Sequence, residues 1–122
     1  MNSTEAVTSN LMKLALDGAA LRHQAIAANI ANATSPGYTP VRVSFDTVMQ
    51  DARDRLQAGE SLRSVAASLA NGIEADPDAA GAVALDQQAA DLAQNVVQYQ
   101  ALLKGMAKRM SILAAAINEG KR

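Results

Sequence analysis

The stretch that decides the fold is Ala28-Asn29-Ile30-Ala31-Asn32-Ala33-Thr34-Ser35-Pro36-Gly37-Tyr38, because a long helix has to end within it. Pro36 fixes its own φ at the value that the first central residue of a turn needs, and Gly37 can adopt the positive φ of the second. Pro40 follows closely and lacks the N–H that a new helix would use. This stretch predicts a helix end near Thr34 and a tight turn directly after it.

Upstream of the turn, apolar residues recur at alternating steps of four and three from about Thr4 to Ala33. Such a heptad pattern is typical of a helix that packs along a seam. A second apolar row widens the apolar face of the same helix, which would be about 45 Å long at 1.5 Å per residue. The first row consists of Val7, Leu11, Leu14, Gly18, Leu21, Ala25, Ala28 and Asn32, and the second of Leu16, Ala19, Ile26 and Ile30.

Downstream of the turn, Val41, Val43 and Phe45 alternate with polar residues, which predicts a short strand or extended segment with one buried face. A short charged helix is expected from about Thr47 to Ala58, before Gly59. The rest of the middle has few apolar residues to offset the entropy of ordering it. We therefore expect the middle of the chain to be mobile in an isolated subunit.

A second long heptad pattern begins near Val83 and continues almost to the end of the chain. It predicts a helix of about 35 residues, which is too long for a compact domain of this size. Apolar residues make up 49% of the chain but aromatic residues only 2%, a composition that suits long, closely packed helices. The second pattern consists of Leu85, Ala89, Leu92, Val96, Tyr99, Leu103, Met106, Met110, Leu113 and Ile117.

The patterns together predict a mostly α fold in which two long terminal helices form an antiparallel coiled-coil hairpin around a short irregular or β-like middle. The expected segments of this single structural domain are 1–34, 35–82 and 83–122. Both helices are expected to expose apolar stripes that one chain cannot fully cover, so the seams should pack against each other and against neighbouring subunits. The seam residues proposed for this packing are Leu11, Leu14, Leu21, Ala28, Leu85, Leu92, Val96, Tyr99, Leu103, Met106, Met110, Leu113 and Ile117.

Several classes of function are disfavoured by composition. The chain has no cysteine, a single histidine (His23) and a formal net charge of −1. No basic block interleaved with aromatic residues indicates nucleic acid binding, and no grouping of side chains indicates a metal, a cofactor or a catalytic site. No segment approaches the ~20 apolar residues of a membrane span. The start MNSTEAVTSN lacks the features of a cleaved secretory signal, so none is expected.

Two interpretations of Asn29 and Asn32 are open at this stage. Asparagine competes well for backbone groups, so both side chains could cap the last carbonyls of the first helix and the turn. Alternatively, one of them could hydrogen-bond to the other long helix and fix the register of the hairpin. The sequence does not choose between these interpretations, and both can hold together.

Two stretches resemble the flagellar rod and hook family of bacterial axial proteins. Residues 28–38 are similar to the signature ANIANxxTPGY that ends the first helix of that family, with Ser35 where threonine is usual. Residues 83–102 resemble the C-terminal helix of its short rod subunits. The turn motif that this resemblance assigns consists of Asn29, Asn32, Pro36, Gly37 and Tyr38.

The resemblance implies a structural role in the flagellar basal body. Distal rod and hook proteins carry large inserted domains, which 122 residues cannot hold, so the implied member is a proximal rod subunit. Such subunits pass unfolded through the flagellar type III export system and polymerise in the periplasm through their terminal helices. The implied partners are other copies of the chain, FlgC-like and FlgF-like rod subunits, the MS-ring protein, a FliE-like adaptor and the export gate.

A soluble helical adaptor or export chaperone is the alternative function, with its seam binding a partner helix. An adaptor needs neither the turn signature nor an apolar seam that reaches almost to both ends of the chain. A small enzyme is disfavoured, because the serines, threonines and carboxylates are scattered without a nucleophile–base grouping.

Overall fold

A computed structural model describes residues 3–79 and 82–120 of the chain. Residues 1, 2, 80, 81, 121 and 122, which belong to the outer parts of the three predicted segments, lie outside the described residues. The mostly helical class and the two long terminal helices are confirmed. In chain order the elements are α1 (Ser3–Ala31), β1 (Val41–Val43), α2 (Phe45–Gln57), α3 (Leu62–Ser68), a 3-10 helix (Leu69–Gly72), β2 (Ile73–Ala75) and α4 (Leu85–Gly120).

The two long helices pack against each other in opposite directions. Three hydrogen bonds show this, because the residue number on α1 falls as the number on α4 rises. α1 has 29 residues and α4 has 36, so their lengths are about 44 and 54 Å. The three bonds join Asn29 Nδ2 to Gln88 Oε1 at 3.1 Å, Asn95 Nδ2 to the carbonyl of Ala19 at 2.9 Å, and Arg109 Nη2 to the carbonyl of Glu5 at 3.0 Å.

The main hydrophobic core lies between α1 and the middle of the chain, not between the two long helices. Burying an aliphatic side chain of this size contributes about 1.5–3 kcal/mol, so this core is a substantial part of the stability. The few apolar residues of the middle, which were expected to offset little of its ordering entropy, thus supply most of this core. The buried residues of this core are Leu14 and Ala25 of α1, Val43 of β1, Val48 and Ala52 of α2, Val65 of α3 and Leu69 of the 3-10 helix.

The middle of the chain contributes to the core because its few apolar residues are spaced so that they lie on one face of each short helical segment. Val48 and Ala52 are four residues apart on α2, and Val65 and Leu69 repeat that spacing across α3 and the 3-10 helix. Residues four apart lie on one face of a helix. α2 therefore directs one pair of buried side chains toward α1, and α3 together with the 3-10 helix directs a second pair.

A two-stranded antiparallel sheet joins the ends of the middle segment. Val41 pairs with Ala75 and Val43 with Ile73. The extended segment at Val41 and Val43 is confirmed. Phe45, which was expected to continue it, is instead the first residue of α2. β2 was not predicted, since Ile73-Glu74-Ala75 is too short to show an alternating pattern.

The boundaries of the helices follow the turn signals in the sequence. α1 ends at Ala31, three residues before the predicted end at Thr34. Gly37 has a φ of +73°, as a type of turn with glycine at its second central position requires. Gly59 follows α2 with a φ of +91°, which confirms the predicted stop.

Candidate assembly surface

Asn29 is the polar centre of the contact between α1, the turn and α4. Its side chain is 1% exposed and its amide Nδ2 donates to the carbonyl of Val41 at 2.8 Å and to Gln88 Oε1 at 3.1 Å. Its Oδ1 accepts from the hydroxyl of Tyr38 and from the backbone N–H of Val41, both at 2.9 Å. The interpretation in which an asparagine hydrogen-bonds to the other long helix therefore holds for Asn29. Its side chain links both long helices to β1.

Asn32 caps the end of α1 and the turn, as the other interpretation states. Its Nδ2 donates to the carbonyl of Ala28 at 2.9 Å, and its Oδ1 accepts a long hydrogen bond from the hydroxyl of Ser35. Pro36 and Gly37 are exposed at the surface of the turn, and a Cβ added to Gly37 would meet nothing within 4 Å. The turn motif thus consists of one buried residue, Asn29, two half-buried residues, Asn32 and Tyr38, and an exposed Pro-Gly tip.

The predicted seam of α1 faces the middle of the chain. Leu14 and Ala25 are buried in the core, and Leu21 packs against it. Leu11 and Ala28 are half-buried. The seam of α1 is therefore largely covered by its own chain, although Leu11, Leu21 and Ala28 remain partly exposed. The second row supplies the buried contact near α4, through Ala19 and Ile26.

The predicted seam of α4 does not face α1 directly. At 3.6 residues per turn, its mean direction around the helix axis differs by roughly 60° from that of the α4 residues that contact α1. Leu92, Met106 and Leu113 are half-buried. The other six members are between 37% and 65% exposed and form an apolar stripe along one side of α4. This α4 stripe consists of Leu85, Val96, Tyr99, Leu103, Met110 and Ile117.

A different row of α4 makes the contact with α1. Gln88, Asn95 and Arg109 make the hydrogen bonds to α1, and Leu102 is half-buried on the same row. These positions were missed because polar residues do not contribute to an apolar pattern. A signal was available, since 88, 95, 102 and 109 are seven residues apart and occupy one heptad position.

A groove of about 550 Å³ separates the α4 stripe from α1. Asn95 lies on its floor and is 2% exposed. The Oδ1 of Asn95 accepts no hydrogen bond from the described part of the chain, although its Nδ2 is paired. His23, the single histidine, lies at the edge of this groove and is exposed. The lining residues are Ala19, Ala20, His23, Gln24, Asn95, Val96, Tyr99, Gln100 and Leu103.

Outside this groove, the described surface carries exposed ion pairs. Arg42 of β1 lies 3.5 Å from Glu74 and 3.6 Å from Asp78, in exposed ion pairs of small net value. Within residues 3–79 and 82–120, no three His, Cys, Asp or Glu side chains are grouped so that they could hold a metal ion. None of the described helices is both long enough and apolar enough to cross a membrane.

These features define a class: a helical protein whose long C-terminal helix is only half covered by its own chain. No protein family model matches the chain. It is 30% identical over 116 residues to the flagellar basal body rod protein FlgB of Bacillus subtilis (strain 168), and the match covers 88% of this chain and 90% of that protein. The chain therefore belongs to the FlgB family of flagellar basal body rod proteins.

Proposed function

We propose that this chain is a structural subunit of the proximal flagellar rod and that it polymerises through its two terminal helices. The observation that carries this proposal is the exposed apolar stripe of α4. Its six side chains are each between 37% and 65% exposed along most of the length of α4. A long row of exposed apolar side chains in a single chain indicates a surface that another protein covers.

The family resemblance of the turn and the C-terminal helix supports the rest of the proposal. In this proposal the chain leaves the cytoplasm through the flagellar type III export system without a cleaved signal. It then joins the rod. Its neighbours would be other copies, FlgC-like and FlgF-like rod subunits, the MS-ring protein, a FliE-like adaptor and the export gate. It has no catalytic role in this proposal.

A charge placed in the α4 stripe tests this function. Leu103 is 45% exposed, so Leu103→Asp leaves the fold of the single chain intact but places a carboxylate where assembly would bury it. Burial of an unpaired carboxylate costs several kcal/mol, so we expect loss of rod assembly and of swimming. The measurement is recovery of the chain in purified basal bodies, in cells whose native copy of the gene has been deleted.

Gln50→Asp is the matched control. Gln50 is exposed on α2 and the change adds the same charge to a helix, so this variant should assemble and swim normally. Normal assembly of Leu103→Asp would refute a role for the stripe. A chain that remains in the cytoplasm with other export components, and never enters basal bodies, would favour the alternative of an export chaperone or adaptor.

A further inference from the structure

One asparagine of the chain stands directly before a glycine, at the end of the 3-10 helix. Among all the asparagines of the sequence, Asn71 alone has glycine as its next residue. Glycine has no Cβ, so its backbone nitrogen approaches the preceding side chain with the least steric hindrance. In the fold Asn71 is exposed and Gly72 is half-buried. The dipeptide is therefore a candidate site of spontaneous covalent modification.

The reaction that this dipeptide allows is deamidation through a cyclic succinimide. The backbone nitrogen of Gly72 loses its proton to a base in the solvent and bonds to Cγ of Asn71. The bond between Cγ and the side-chain nitrogen breaks, and that nitrogen takes up a proton and leaves as ammonia. Water then opens the five-membered ring at one of its two carbonyls. Opening at Cγ leaves aspartate in the main chain, whereas opening at the backbone carbonyl gives isoaspartate, in which the main chain runs through Cβ and Cγ.

The 3-10 helix holds Asn71 in a conformation from which the ring cannot close. Closure needs Cβ of Asn71 and the backbone nitrogen of Gly72 on the same side of the bond between Cα and the carbonyl carbon. A ψ of about −20 to −30°, which is typical of 3-10 helices, turns these two atoms roughly 90° apart around that bond. The helix must therefore open at Asn71 before the reaction can begin.

The packing around Gly72 opposes this opening. A Cβ at Gly72 would lie 2.6 Å from Cγ2 of Val48 and 3.9 Å from Cδ2 of Leu21, so α2 and α1 leave little space beside it. The next residue, Ile73, pairs with Val43 in the sheet. Local opening at Asn71 would disturb both contacts, so it is infrequent in the folded chain. An unfolded chain has no such restraint and samples the ring-closing conformation freely.

We infer that Asn71 is a modification site that deamidates while the chain is unfolded, and that isoaspartate at this position prevents refolding. Isoaspartate lengthens the main chain by one bond of about 1.5 Å directly before Gly72. The close contact with Val48 and the pairing of Ile73 with Val43 cannot both be kept with that extra length. Time spent unfolded is thereby converted irreversibly into chains that do not fold. The chemistry is independent of the proposed function, although export in an unfolded state would make the waiting time before export matter.

Site-resolved deamidation of the full-length chain tests the first part of the inference. The chain is incubated in mildly alkaline buffer, once folded and once unfolded in urea, and its peptides are then analysed by mass spectrometry. In urea, Asn71 should deamidate at least ten-fold faster than Asn29 and Asn95, which precede bulky β-branched residues. Without urea, deamidation of Asn71 should slow at least ten-fold. A rate in urea no higher than that of the two controls, or the same rate with and without urea, would overturn the inference.

Refolding after the incubation in urea tests the second part. Gel filtration separates the refolded chain from expanded and aggregated chains, and an isoaspartyl methyltransferase with labelled methyl donor measures isoaspartate in each fraction. Isoaspartate at residue 71 should be at least ten-fold depleted in the refolded fraction. Equal amounts in both fractions would show that the fold accepts the longer main chain, and would overturn this part.

Two variants separate the possible causes of a refolding loss. Asn71→Asp has the charge of the product on a normal main chain and is exposed, so it should refold like the unmodified chain. Asn71→Gln would need a less favourable six-membered ring, so it should keep its ability to refold after the same incubation. Failure of Asn71→Asp to refold would assign the loss to charge, and an equal loss in Asn71→Gln would assign it to another residue. Either result would overturn the inference.

Discussion

Two buried asparagines face the same interhelical boundary, yet their hydrogen bonding differs. Asn29 makes four hydrogen bonds, with Val41 as partner twice and with Tyr38 and Gln88 once each. Asn95 makes one, to the carbonyl of Ala19, and its Oδ1 has no donor among the described residues. A buried polar group is costly when it is unpaired and modestly favourable when it is paired. Asn29 is therefore expected to stabilise the single chain more than Asn95 does.

Substitution of each asparagine by leucine measures this difference in the contribution to stability. Asn29→Leu removes four hydrogen bonds and leaves the N–H and carbonyl of Val41 without their side-chain partner, so we expect a loss on the order of 3 kcal/mol in the free energy of unfolding. Asn95→Leu removes one hydrogen bond together with one unpaired oxygen, so the change should stay within about 1 kcal/mol. Urea unfolding followed by circular dichroism gives both values. Equal losses would contradict the assignment of distinct roles.

At the scale of single residues, the sequence could identify Asn29 as important but not state its partners. The turn signature placed Asn29 and Asn32 one turn apart at a helix end, where each could cap backbone groups. Which one turns toward α4 depends on the direction in which the chain leaves the turn, because that decides which side β1 covers. Gly37 was accessible to sequence reasoning, since its positive φ follows from local turn chemistry alone.

At the scale of elements, the contact between α2 and the end of the 3-10 helix depends on a missing side chain. A Cβ added to Gly72 would lie 2.6 Å from Cγ2 of Val48, which is closer than two carbon atoms approach. Gly72→Ala should therefore destabilise the chain by about 1–3 kcal/mol, as overpacked cores do. Thermal unfolding measures this loss. Gly105→Ala is the control, because its Cβ would lie 3.5 Å from Met12 Cε and helix propensity favours alanine by about 1 kcal/mol.

A double variant shows whether the contact itself causes the loss. Val48→Ala removes the methyl group that the new Cβ would strike, so the combined Gly72→Ala and Val48→Ala variant should lose less stability than the two single losses together. Contacting residues typically show such a coupling of about 0.5–3 kcal/mol. Strict additivity would mean that Gly72 matters for another reason.

The long helices, β1 and α2 were predicted, whereas β2 was not, and the difference has a physical origin. α4 offers a heptad pattern over many turns, so its existence follows from periodicity. α3 spans only 7 residues and β2 only 3, so their structure is decided by the surfaces on which they pack. The same limit explains the orientation of α4. An apolar pattern identifies which residues avoid water, but it does not say whether α1 or a neighbour covers them.

At the scale of the whole molecule, the two terminal helices are unequally supported. α1 is enclosed by the core on one side and by α4 on another, and Leu14, Ala19 and Ala25 are almost fully buried. α4 has a single fully buried residue, Asn95. Beyond Arg109, which reaches Glu5 near the described start of α1, α4 continues to Gly120, and its residues from 114 to 120 are exposed.

This asymmetry predicts a gradient of amide hydrogen exchange in the dilute chain. Local opening is easiest where few apolar contacts are lost, so amides of α4 after Leu103 should exchange fastest and amides of α1 between Leu14 and Asn29 slowest. Assembly into the rod should slow exchange along α4 far more than along α1, because only α4 has a large apolar surface still to bury. Hydrogen exchange followed by mass spectrometry, on the free chain and on purified basal bodies, resolves the two helices. Uniform strong protection along α4 in the free chain would show that the exposed stripe does not weaken it, and would remove the reason for a neighbour to cover it.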